Sequence, residues 1–275
     1  MANRSYLYSL SNQPTSHGDR PETISGLSEW AYNVPFMYRL LMSGDPQLCA
    51  SLISDGLDDS DMPLYAISGP FDAGFERVKR FAVIVKALIA LPAIGHPIPA
   101  ASEAPNPGFT ARLRRWVGLS HAPTVANPAS VSASTSTRGA IEHLPGLLDE
   151  TIVFLQAHRN QYLLLETIEL DVMSESEANP LRALVEAEMD RCRHVAAAFD
   201  ALPQDPVEAA HVLQAAATEK SATPLDAFFG LRFDDHCDGT RARAAEYPLG
   251  LEWSDALYFD LFNREQFEAQ QNEPY

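Results

Sequence analysis

The 275-residue chain has few cysteines, few basic residues for its acidic load, and no long apolar run. Each shortage excludes something. Cys49, Cys192 and Cys237 are odd in number, far apart and without a C-x-x-C pair, so they build no disulfide framework. The compartment this implies is the cytoplasm. The longest apolar stretch, FAVIVKALIALPAI (81–94), is interrupted by Lys86 and Pro92. It falls short of the roughly 20 residues a membrane-spanning helix needs and reads as a buried core helix. The opening MANRSYLYSL carries one arginine and no apolar run behind it, unlike a secretory signal. The phosphate-cradling GxxxxGK(S/T), the dinucleotide GxGxxG, the zinc-binding HExxH and the serine elbow GxSxG are all missing. No cofactor and no metal is expected.

What is present in excess is negative charge. The net charge is −17, and it is uneven. Residues 1–136 hold 10 Lys and Arg against 11 Asp and Glu, whereas residues 137–275 hold 10 against 26. Phosphate contacts need a basic footprint, so this balance argues against nucleic acid as a partner. It suits a basic protein partner.

Periodicity and punctuation place the elements. Residues 4–10 read as a strand and 11–26 as loop. A helix is expected from Pro35 to Gly44, a second over 46–56 with Asp45 as its cap, and a short strand over 63–69. Residues 71–92 read as a long helix, with Phe71, Phe75, Val78, Ala82, Val85 and Ile89 on one face. Helices are also expected over 144–160, 179–203 and 205–219, and strand-like runs over 161–173, 225–233 and 247–253. A capped helix is expected within 254–270. The 179–203 helix carries an apolar stripe from Leu181 through Val185, Met189, Cys192, Val195 and Phe199 to Leu202. Its expected cap is Asn179. The fold class is therefore α+β, mostly helical, with a small mixed or antiparallel sheet. Residues 92–138 are rich in Pro, Ala, Ser and Thr and read as an excursion or linker. It separates a part spanning 1–91 from an acidic part spanning 139–275, and those two parts are compatible with one shared domain. Within it, FTARLRRWVGL (109–119) is a basic amphipathic segment.

Three clusters invite a chemical reading. In FDDHCDG, Asp234, Asp235, His236, Cys237 and Asp238 crowd into five positions. Consecutive side chains splay apart and cannot converge on one ion, so the stretch reads as a turn or a partner contact rather than a metal site. In SDGLDDSDMP, Asp55, Asp58, Asp59 and Asp61 resemble a calcium loop, but the twelfth position is Ala66 instead of glutamate. Asp190 and His194 share a helical face at i, i+4 and read as an exposed ion pair.

MANRSYLYS at the start and YPLGLEW near the end resemble a group of uncharacterised bacterial proteins that begin Met-Ala-Asn-Arg-x-Tyr-Leu. Proteins of this kind look like cytosolic immunity proteins, which neutralise toxin domains. The acidic half, with no enzyme signature, fits such a binding module, with Asp234, Asp235, His236, Asp238 and Glu246 as the expected partner-contact residues. The competing expectation is a hydrolase or transferase with a dispersed site that uses His236 and Asp234 as an acid/base pair. A non-enzyme is the favoured reading.

Overall fold

The computed structural model describes residues 3–53, 63–91, 143–234 and 247–272. Its centre is a five-stranded sheet. Strand β1 (Arg4–Leu10) pairs with β2 (Ile24–Ala31) on one side and β5 (Tyr162–Glu166) on the other. Strand β4 (Tyr65–Pro70) pairs with β5, and β3 (Gln47–Ala50) closes the far edge. The order is β2-β1-β5-β4-β3, and every pairing is antiparallel. The α+β class is as expected from the sequence. Strand β5 comes from beyond residue 143, so the sheet takes strands from both sides of the 92–138 stretch.

Both faces of the sheet are buried. Successive side chains alternate, so Leu7, Ile67, Leu163 and Leu165 face a helical layer. That layer contains α1 (Phe36–Met42), α2 (Phe71–Ala90), α3 (Leu144–Ala157), α5 (Ala178–Asp200), α6 (Pro206–Thr218) and a 3-10 turn (Leu225–Phe228). On the opposite face, Tyr6, Tyr8, Leu10, Cys49, Ala66 and Leu164 pack under Leu52, Ile53 and Leu261. The short α4 (Ile168–Asp171) adds Ile168 there. The polar helix α7 (Arg264–Gln271) lies near the C-terminus, with Asn263 and Gln266 forming a capping box.

The apolar stripes of α2 and α5 are buried as their spacing predicts, from Phe71 to Val85 and from Leu181 to Phe199. Two contacts set how α1 sits. A Cβ on Gly74 of α2 would fall 1.8 Å from the Leu41 carbonyl oxygen, so the two backbones meet there. Arg39 of α1 donates to both oxygens of Glu188 on α5, from Nε at 2.6 Å and Nη2 at 3.2 Å. Arg191 adds a third bond at 2.7 Å.

Several expectations fail. Residues 47–50 form the edge strand β3 rather than a helix. Asp45 takes φ of 76°, turning the chain back after α1 instead of capping a new helix, and Cys49 pairs opposite Ala66. A short apolar run does not distinguish helix from strand; pairing does. Strand β2 begins inside a stretch that reads as loop. Its misleading signal is Gly26, which the strand holds for a close crossing: a Cβ there would lie 2.7 Å from the Asp255 carbonyl oxygen. The 161–173 run splits after Glu166 into strand and α4. The runs at 225–233 and 247–253 yield the 3-10 turn and a single bridge between Leu231 and Tyr247. The 254–270 helix shrinks to Arg264–Gln271. Asn179 lies inside α5, whose cap position is Glu177.

Candidate functional site

Of the residues proposed to meet a partner, Asp235, His236, Asp238 and Glu246 lie outside the described residues, as do Cys237, the aspartates of 55–61 and the segment 109–119. Asp234 is described. Its two oxygens sit 3.0 and 2.9 Å from Nη2 of Arg232. The stems of this loop are anchored: Tyr247 donates its N–H to the Gly230 carbonyl at 2.8 Å, and Gly230 donates to Ala217 of α6 at 3.0 Å. The Asp190–His194 pair does not form. Arg193 takes Asp190 at 3.0 Å, and His194 Nε2 reaches Asp226 in the 3-10 turn at 2.9 Å. An arginine three residues away offers five donors, while the imidazole faces the turn that packs on α5. Cys192 is fully buried, and burial pushes its thiol up, away from a nucleophile's range.

The structure gathers a different group on the sheet face opposite the main helical layer. Glu166 ends β5. Strand alternation points it the same way as Leu164 and Tyr162, and it stands across from Tyr6 of β1. Its side chain is 0 % exposed. One oxygen accepts the Leu52 N–H at 2.7 Å and the other the Ser51 hydroxyl at 2.8 Å, which holds the chain leaving β3 against the sheet. Burial raises the carboxyl to about 7. The bonds from Leu52, Ser51 and Ile53 and the charge of Arg20 pull the other way without overcoming it. Cys49 lies near enough that burial and the Glu166 charge both raise its thiol.

Arg20 stands beside this group, only 4 % exposed. Its guanidinium carbon is 4.4 Å from the centroid of the Phe267 ring, and Nη2 lies 2.8 Å from His17 Nε2. A cavity of about 220 Å³ opens here, lined by Arg20, Leu52, Phe259, Asp260, Leu261, Phe262, Phe267 and Gln270. The C-terminal segment that forms one wall is pinned to the sheet by Tyr8, whose hydroxyl donates to the Phe259 carbonyl at 2.7 Å. Arg264 pins it again, donating from Nε to the Arg20 carbonyl at 3.2 Å. The arrangement offers a buried cation, aromatic walls and, behind Leu52, a carboxyl able to take up a proton near neutral pH.

The 166 carboxyl makes stability depend on pH in a defined direction. Its folded value of about 7 lies above the ordinary 4.5, so the folded state binds the extra proton between those values. Its contribution is fully present below pH 4.5 and is lost as pH rises to 7, over a span worth about 3 kcal/mol. The variant Glu166→Gln is expected to lose this component. Urea melts at pH 5 and pH 8 should show wild type losing stability relative to the variant at the higher pH. Equal changes in the two proteins would mean that Glu166 does not hold a proton near neutrality.

Arg20 and Glu166 carry no motif, and neither is apparent from the sequence alone. The one available signal was Glu166 itself, a single charge closing the otherwise apolar run YLLLE on the side that alternation would bury.

These features define an α+β protein with one antiparallel sheet buried on both faces and a small cationic cavity over the second face. A family model described as a domain of unknown function (DUF7822) matches residues 11–106, about a third of the chain. The match takes in Arg20, Ser51 and Leu52 but not Glu166 or the 259–270 wall. No curated protein and no solved structure matches the chain. Among the described residues, no helix is long and apolar enough to cross a membrane, and no group of three or more His, Cys, Asp or Glu is placed to hold a metal ion.

Proposed function

We propose that this chain is a protein-binding module of the immunity type, a cytosolic bacterial protein that neutralises a basic toxin domain through its acidic surface. The observation that carries the reading is how the cations are used. The described residues hold 27 of the 37 Asp and Glu and 14 of the 20 Lys and Arg, so acids outnumber cations by 13 among them. Most of those cations are held within the protein. Arg77 pairs with Asp200, Lys86 with Asp149, Arg159 with Asp72, Arg182 with Glu186, and Arg264 with Glu22. Arg80 is turned onto the carbonyls of Leu202 and Pro203 at the end of α5. The acid surplus is therefore left to the solvent side. A surface of this kind attracts a basic partner from a distance and accelerates docking, with a rate that falls as salt rises.

Asp234, Asp235, His236, Asp238 and Glu246 are the proposed contact loop. The test pairs the purified protein with the product of its neighbouring gene. A basic toxin domain should bind at about 20 mM salt, with an association rate falling roughly tenfold or more by about 300 mM. Charge reversal at Asp235 and Asp238 should slow association with little change in melting temperature. The reading fails if the neighbouring genes encode no toxin, or if a purified basic toxin domain does not bind at the lower salt.

A further inference from the structure

The cavity beside Arg20 is a second candidate site, independent of the acidic surface. Its base is formed by buried groups, Arg20, Leu52 and Leu261, while Asp260, Phe262 and Gln270 stand exposed at its mouth. Phe259 and Phe267 supply half-buried aromatic walls. A charge at the base is screened far less than one at the mouth, so Arg20 outweighs Asp260 for an ion that reaches the interior. Burial disfavours the ionised form of Glu166 and so limits its offset of the Arg20 charge. The remaining lining is mostly apolar, and about 150 Å³ already accommodates a benzene ring. The cavity holds about 220 Å³, room for a ring with one short substituent.

We propose that this cavity binds a small organic monoanion with an apolar body, of the arylacetate class, its carboxylate toward Arg20 and its ring among Phe259, Phe262 and Phe267. Arg20 selects an anion, and the aromatic walls favour one with an apolar body over a bare ion. Asp260 at the entrance disfavours a dianion.

The test is a ligand-observed NMR titration of the full chain with phenylacetate, and in parallel with phenethylammonium and inorganic phosphate. Phenylacetate should bind saturably with a Kd on the order of 0.1–1 mM, as expected for a ligand of about ten heavy atoms. The other two should bind at least about tenfold more weakly. Arg20→Gln should weaken phenylacetate about tenfold through loss of a charge-assisted contact. Because Arg20 also supports the loop it sits in, Phe262→Ala provides a second variant on an exposed residue. It should leave the melting temperature in place and weaken binding about fivefold. The proposal is overturned if phenylacetate does not saturate below about 10 mM, well beyond the affinity expected for its size. It is equally overturned if phenethylammonium or phosphate binds as well, or if Phe262→Ala binds phenylacetate like wild type.

Discussion

Gly74→Ala should destabilise the protein by about 2–3 kcal/mol, although it places a better helix former in a long helix. The added Cβ would lie 1.8 Å from the Leu41 carbonyl oxygen, 2.7 Å from its carbonyl carbon and 3.0 Å from its Cα. Those atoms are backbone and cannot rotate away. Relief requires α1 to retreat, and α1 is buried through Phe36, Met37, Tyr38, Leu40, Leu41 and Met42. Overpacking that moves backbone costs at or above the usual 1–3 kcal/mol, and the helix-propensity gain of about 1 kcal/mol offsets only part of it. Gly146→Ala in α3 is the matched control, since nothing lies within 4 Å of its Cβ position. It should raise stability by about 0.5–1 kcal/mol. Denaturant midpoints of the two variants decide the matter. A Gly74→Ala protein as stable as wild type would mean that α1 and α2 do not meet at this point.

Glu188→Ala should cost about 3–5 kcal/mol, whereas Arg191→Ala should cost under about 1 kcal/mol, although both break a salt bridge. The difference is solvent. The side chains of Arg39 and Glu188 are 15 % and 6 % exposed, and that of Arg191 is 60 % exposed. Removing Glu188 leaves the Arg39 guanidinium held inside the α1–α5 contact without its bidentate partner. Removing Arg191 returns a mostly hydrated group to water and leaves the Arg39 bonds in place. The double variant Arg39→Met with Glu188→Leu should recover most of the loss, because a buried pair replaced by apolar side chains of similar size is often neutral or better. A double-mutant cycle by urea denaturation measures this. Independent, additive losses from the two single substitutions would contradict a coupled buried pair.

How much of this was legible beforehand varied with the range of the interaction. Helix α5 was legible because Leu181, Val185, Met189, Cys192, Val195 and Phe199 recur at the period of a helix that buries one side. Helix α6 was legible because Asp205 caps it, accepting from the Val207 and Glu208 N–H groups, with Pro206 behind it. Strand β3 was not legible. Its four residues are a strand only because β4 lies alongside, and the same letters scan as a capped helix. Gly26 advertised a loop and in fact opens room for the 255–257 crossing. The Asp190–His194 spacing was real, but the partners were taken by Arg193 and Asp226, a competition that spacing along one helix does not contain.

The candidate cavity shows the same division. The amino-acid sequence alone determined the acid surplus, the lack of the familiar catalytic motifs and the α+β class, since charge counts, motifs and hydrophobic periods are properties of the chain taken locally. Only the tertiary structure placed Arg20 beside Phe267 and the 259–262 wall, and Glu166 beneath Ser51 and Leu52. Those residues are separated by as much as 247 positions along the chain. Their pairing follows from β5 inserting between β1 and β4, and from the C-terminal segment crossing over Gly26. The physical reason is that burial sets the chemistry of both groups. A carboxylate acquires unusual proton affinity, and a guanidinium a weakly screened charge, only where packing removes water, and packing is a property of the whole fold.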